Sequence, residues 1–106
     1  MVNFVLLYSG GRMPNSESER KLSTETWNKW YSKLGKAVVE QGNPLTPVAK
    51  SITSDGRILD SAACPSVSGY SIIRADSLNA ALDLAKTCPI LKDGGQISVH
   101  ETFPVM

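Results

Sequence analysis

Gly69-Tyr70-Ser71-Ile72-Ile73-Arg74-Ala75-Asp76-Ser77-Leu78-Asn79-Ala80-Ala81-Leu82-Asp83-Leu84-Ala85 joins two hydrophobic periods in one stretch. Residues 69–75 read as a strand, rich in apolar and β-branched side chains. Asp76 or Ser77 suits a helix N-cap, and Leu78, Ala81, Leu82, Ala85 and Cys88 then recur at three- and four-residue spacing. Pro89 ends that helix, and its small alanines let it lie close against a sheet.

The same strand-then-helix unit stands at the start of the chain. Residues 2–8 are an apolar run of strand length, which predicts a central strand covered on both faces. Residues 9–22 are polar and read as an exposed loop. Ser23 or Thr24 then caps a helix whose apolar face is Trp27, Trp30, Tyr31, Leu34, Ala37 and Val38. Gln41-Gly42, with Pro44 beyond, is the expected stop.

Between the two units, residues 48–54 read as a strand and Asp55-Gly56 as a two-residue hairpin turn that returns the chain through 57–59. Residues 60–68 read as a connecting loop containing Cys64-Pro65. After Asp93-Gly94-Gly95, residues 96–103 alternate, with Ile97 and Val99 on one side and Ser98, His100 and Thr102 on the other. The order predicts one α+β domain over residues 1–106, of the ferredoxin-like β-α-β-β-α-β kind. A single antiparallel sheet would carry both helices on one face.

Helices on one face leave the other bare. Several of Phe4, Leu6, Tyr8, Tyr70 and Ile72 are expected there, depending on register. An apolar sheet face of several hundred Å² is unusual on a monomer. A homodimer pairing sheet to sheet, a dimeric α/β barrel, is therefore expected.

Composition narrows the partners. The 106 residues are 42% hydrophobic and 20% charged, with a net charge of +1. The eleven basic residues form no dense run, which speaks against nucleic acid. No stretch approaches the roughly 20 apolar residues of a membrane span, and the start lacks the pattern of a secretory leader. A cytoplasmic protein, with Cys64 and Cys88 as free thiols, is expected. One histidine and two isolated cysteines cannot build a usual zinc site. No nucleotide-binding glycine motif or nucleophile elbow occurs either, so neither metal nor cofactor is expected.

Gly42-Asn43-Pro44-Leu45-Thr46-Pro47, Asp55-Gly56, Gly69-Tyr70-Ser71-Ile72-Ile73, Ala75-Asp76-Ser77-Leu78, Cys88-Pro89-Ile90-Leu91 and Gly94-Gly95, in this order, resemble the YCII-related family in its DGPF-type branch. The resemblance spans nearly the whole chain. It implies a ferredoxin-like subunit of a dimeric α/β barrel, and in some relatives a small enzyme using a His/Asp pair. The Asp-Gly-Pro-Phe stretch that names the branch is here Asp60-Ser61-Ala62-Ala63, keeping the aspartate alone.

His100, the single histidine, is the candidate for proton transfer near neutral pH, against the plain alternative of a solvated strand residue. Asp60 could orient it or serve as a base, or simply stabilise a turn. Tyr8 and Tyr70 could place ring and hydroxyl over a ligand. Trp27 and Tyr31 read as core, whereas Trp30 lies off the main stripe and is expected at a pocket mouth or interface. Lys50 could hold an anionic group. Two functions follow. One is a small cofactor-independent enzyme acting on a small organic molecule through His100, in a cleft between sheet, first helix and residues 60–68. The other is a non-catalytic ligand-binding or regulatory module acting as a homodimer.

Overall fold

The computed structural model describes residues 1–11, 15–63 and 66–104. Cys64, expected as a loop thiol, lies outside the described residues. The elements are β1 (Val2–Ser9), α1 (Glu17–Leu34), a 3-10 turn (Gly35–Ala37), β2 (Val38–Glu40), β3 (Ser51–Ile52), β4 (Ile58–Leu59), β5 (Val67–Ala75), α2 (Leu78–Ala85), α3 (Pro89–Lys92) and β6 (Gln96–Glu101). The main sheet is antiparallel in the order β2-β5-β1-β6, and β3-β4 form a separate two-stranded ribbon. This is the ferredoxin-like arrangement, with the first and third sheet strands in the centre.

Alternation along β1 decides the layers. Phe4, Leu6 and Tyr8 are buried on one face with Ile73 and Ala75 of β5. Trp30 of α1, Ala81 and Ala85 of α2, and Cys88 and Ile90 at α3 pack onto that same face. The helices therefore lie on one side, as the element order implied. Phe4, Leu6 and Tyr8 belong to the covered side, not the bare one. The open face carries Val5 and Leu7 of β1 beside Ile72 and Tyr70 of β5, with His100 and Ser98 of β6 across from Val5 and Leu7.

Three boundaries differ from the sequence reading. Helix α1 begins seven or eight residues earlier than Ser23 or Thr24 implied, at a cap on Ser16. The Ser16 hydroxyl accepts from the Glu19 amide at 3.1 Å, and the Glu19 carboxylate accepts from the Asn15 amide at 2.8 Å. This is close kin to the capping box, with the carboxylate reaching one residue further back. The helix then stops at Gly35, whose φ of +58° suits glycine. Val38 leaves the helix and opens β2, whereas the hairpin strands expected in the sheet stand apart from it.

On α2, Ala81 and Ala85 face the sheet, while Leu78 and Leu82 are exposed. Ser77 makes the cap, its hydroxyl accepting from the Ala80 amide at 3.1 Å. Pro89 opens the short α3 as well as following α2, since the first helical turn needs no proline amide. Among the described residues no helix is long and apolar enough to cross a membrane.

Candidate ligand cavity

The covered face of the sheet does not fill completely. A cavity of about 440 Å³ lies between the end of β1, the middle of α1, residues 41–44 and the start of β5. Tyr8, Trp27 and Tyr31 form its aromatic wall, and Arg20, Asn28 and Asp93 supply its polar side chains nearer the rim. The volume suits a small organic molecule.

The wall is built from helical spacing. Trp27 and Tyr31 stand one turn apart on α1, with ring centroids 5.9 Å apart. Tyr8 meets Trp27 edge-on at 5.2 Å and 74°. Trp30 stacks behind them, 5.8 Å from Trp27 and 5.2 Å from Tyr31. These are favourable aromatic separations. Trp30 is 4% exposed and its indole N–H donates to Thr87 at 3.0 Å. It lies in the core and is not part of the cavity lining, while Trp27 and Tyr31, expected as core, pack against that core half-buried and also line the cavity.

Beneath the rings, three hydroxyls close on one another. Tyr8 donates to Ser71 at 2.7 Å, and Ser71 donates to the Gln41 carbonyl at 2.6 Å. Tyr31 lies 3.0 Å from both the Ser71 hydroxyl and that carbonyl. One consistent assignment gives every hydroxyl proton an acceptor: Tyr8 to Ser71, then Ser71 and Tyr31 both to Gln41. Ser71 is fully buried and would be costly without these partners. Burial pushes the Tyr8 phenol far above its ordinary range, with the Ser71 hydrogen bond opposing it only in part. Burial likewise raises Tyr31, against the hydrogen bonds from Ser71 and Tyr8. Both phenols are thus neutral at physiological pH, with protons already committed, so they offer ring surface rather than acid–base chemistry.

Backbone shape sets one edge of the cavity. Gly42 has φ +74°, and a Cβ there would collide with the Tyr70 carbonyl. Gly69, buried opposite Tyr8, lets Pro44 bridge to it and completes that edge. Cys88 packs below the wall, its thiol pushed up to about 11 by burial, with the Ile90 amide and the Tyr8 hydroxyl drawing it partly back.

Of the residues singled out in the sequence, Tyr8 lines the cavity with its ring, and Tyr70 borders it while standing in the open-face row. Lys50 and Asp60 pair with each other at 3.5 Å at the root of the β3–β4 ribbon, both well exposed. His100 is exposed on the open face of β6, the opposite side of the sheet from the cavity. Among the described residues no hydrogen bond or ion pair joins His100 to Asp60. Sequence reasoning missed Ser71, Gln41 and Gly42, and also Arg20 and Asn28 of α1. Gly42 carried a signal, but as a helix stop. Gln41 acts through its carbonyl, which no side-chain pattern reports. Among the described residues no group of three or more His, Cys, Asp or Glu side chains could hold a metal ion.

The fold and cavity define a small ferredoxin-like α+β domain with an aromatic cavity between sheet and helix. A solved structure of similar fold is 5-chloro-2-hydroxyhydroquinone dehydrochlorinase (TftG) from Burkholderia phenoliruptrix AC1100, in complex with 2,5-dihydroxybenzoquinone. It is 15% identical, aligns over 96% of this chain and 95% of that one, and gives a TM-score of 0.57. That likeness is one of fold. No family model matches this chain, and no curated protein matches it.

Proposed function

We propose that this chain is a YCII-related, DGPF-type protein that works as a homodimer in the cytoplasm and binds a small planar organic molecule between Trp27, Tyr8 and Tyr31. The observation that carries this reading is the aromatic cavity itself, whose hydroxyls are already paired with one another. Such a wall favours a ligand by ring contact and exclusion of water, with Arg20 and Asn28 available to its polar edge. A cyclic dienone or phenol is the natural size class. The dehydrochlorinase of similar fold supports that choice, because its structure holds a dihydroxybenzoquinone.

Intrinsic fluorescence tests the reading. Titration with 2,5-dihydroxybenzoquinone should quench emission saturably in the wild-type chain, with the saturable part lost in Trp27→Phe. Absence of saturable quenching, after correction for absorption by the quinone, up to millimolar concentration would remove the basis of the proposal.

A second reading is favoured by the position of His100. It stands across from Val5 on the open face, where a twin sheet would enclose it. There it could transfer protons for a cofactor-independent enzyme, with Asp60 contributed from a ribbon root. This reading requires His100→Ala to abolish turnover of a ligand identified by the titration, with the dimer intact. Unchanged turnover in that variant would place catalysis elsewhere, and no turnover by the wild type would leave binding as the function of this chain.

A further inference from the structure

We propose that the β3–β4 ribbon is an arm that seats on a second copy of this chain. Among the described residues the ribbon pairs only with itself, Ser51 with Leu59 and Ile52 with Ile58, and shares no ladder with the main sheet. Ile52 and Ile58 are directly opposite across the strands and so point to the same face. They are 73% and 65% exposed; along the same excursion of the chain Val48 and Leu45 are 89% and 48% exposed, and Leu59, on the ribbon's other face, is 42% exposed. A lone two-stranded hairpin is marginal in water, and one that displays its isoleucines has the wrong side outward.

The arm is nonetheless well formed. The Thr53 amide donates to the Arg57 carbonyl at 2.8 Å, and the Gly56 amide closes the turn on the Thr53 carbonyl at 2.9 Å. The Asp55 carboxylate accepts from the Arg57 amide at 3.2 Å and from the Thr53 hydroxyl. At the root, the Ser51 hydroxyl donates to the Ser61 carbonyl at 2.7 Å, beside the Lys50–Asp60 pair. The chain is accordingly spread out. Its radius of gyration is 15.3 Å, against about 13 Å for a compact chain of this length.

Area and charge select the occupant. The five apolar side chains between Leu45 and Leu59 together expose on the order of 500 Å², spread over both faces of the arm, comparable in sum with the largest patch on a typical monomer. Two arms under two-fold symmetry bring that to roughly 1,000 Å², and the open sheet row of Val5, Leu7, Tyr70 and Ile72 takes the total past the ~1,200 Å² at which stable interfaces begin. The root offers no net charge to select an acidic or basic partner, because Lys50 and Asp60 pair with each other. The arm's stem runs from β2 past the start of β5, where Pro44 bridges to Gly69 beside Tyr70 and Ile72, so one twin can cover both apolar surfaces. The inference rests on the homodimer proposed above and adds which segment makes it.

Sedimentation velocity at micromolar concentration tests it on the wild type and on Ile52→Lys/Ile58→Lys. The wild type should sediment at twice 11.4 kDa and the variant at 11.4 kDa, with at least tenfold weaker self-association and unchanged circular dichroism. A dimeric wild type with an equally dimeric variant overturns the arm while leaving sheet pairing in place. A monomeric wild type overturns both. Should the variant fail to fold, cross-linking of mixed isotope-labelled wild-type copies decides. Links from Lys50 into another copy support the arm, and exclusively intramolecular links refute it.

Discussion

Ser71→Ala is the sharpest test of the hydroxyl network under the cavity. The substitution removes one oxygen from a residue that is 0% exposed and leaves the backbone of β5 unchanged. It takes away the acceptor of the Tyr8 hydroxyl at 2.7 Å and a donor to the Gln41 carbonyl at 2.6 Å. Tyr31 keeps the carbonyl as partner, so its hydroxyl is not orphaned. Tyr8 is 4% exposed, and its hydroxyl would be left with the Tyr31 oxygen or the Cys88 sulfur beside it, poorer partners than the serine at 2.7 Å. Loss of a net hydrogen bond costs about 1 kcal/mol, and a stranded buried donor costs about 1–3. Counting the lost bond once, the expected loss is about 1–3 kcal/mol, a fall in Tm of roughly 4–15 °C for a domain of this size. Urea unfolding followed by circular dichroism gives the free energy directly. Tyr8→Phe removes the stranded donor, so the double variant should be less destabilised than the sum of the single ones, by about 1 kcal/mol. A loss below about 0.5 kcal/mol, or strict additivity, would refute the closed network.

Gly42→Ala forces a side chain into positive φ and against the Tyr70 carbonyl, so it should cost at least about 2 kcal/mol in urea unfolding and weaken quinone binding in the same protein. The Cys88 thiol, 1% exposed and pushed up to about 11, should resist iodoacetamide in the folded protein at pH 8 and react once urea unfolds it. Cys88, Tyr8 and Tyr31 all hold protons more tightly folded than unfolded. Their stabilisation should therefore be complete below about pH 8.5 and decline above it as the unfolded chain ionises first, at up to about 1.4 kcal/mol per pH unit for each group in its window. Urea midpoints measured from pH 7 to 11 read this, and Cys88→Ala should remove the earliest part of the fall.

The frame was legible where a single period ran without interruption. Strand β1, the β5–α2 unit and the alternation of β6 each announced themselves. The hairpin did too, but not as the two-residue Asp55-Gly56 turn expected: Ser54 and Asp55 are the central residues of a turn closed from Thr53 to Gly56, and of Asp55 and Gly56 only the glycine takes positive φ. The first helix is placed too late at both ends by its sequence pattern, for a different reason at each end. Its opening turns carry Glu17, Glu19, Arg20 and Lys21, with Leu22 the one large apolar side chain before Trp27. Periodicity therefore reported the helix late, although Ser16 and Glu19 hold the capping pattern. At the other end Ala37 and Val38 continued the helical spacing, which concealed β2, since a short apolar run fits either element. With β2 hidden, the hairpin was assigned its place in the sheet.

The candidate site was less legible because it depends on tertiary placement. Trp27 and Trp30 differ by three positions on one helix, and which of them meets empty space is set by where the sheet and residues 41–44 lie. Ser71 reads as an ordinary strand serine until the register puts Tyr8 and Tyr31 over it. His100 stood out by rarity alone. Its neighbours on the open face are Val5 and Ser98, so any chemistry there depends on what a twin would bring.

Amide and indole NMR spectra of the isotope-labelled chain, recorded while 2,5-dihydroxybenzoquinone is added, bear most directly on the ligand cavity. Shifts should concentrate on the Trp27 indole, Gly69, Tyr70 and the amides of 41–43, with the Trp30 indole nearly still. Changes gathered instead around His100 and Ser98, or scattered without saturation, would contradict a binding site on the helix side of the sheet.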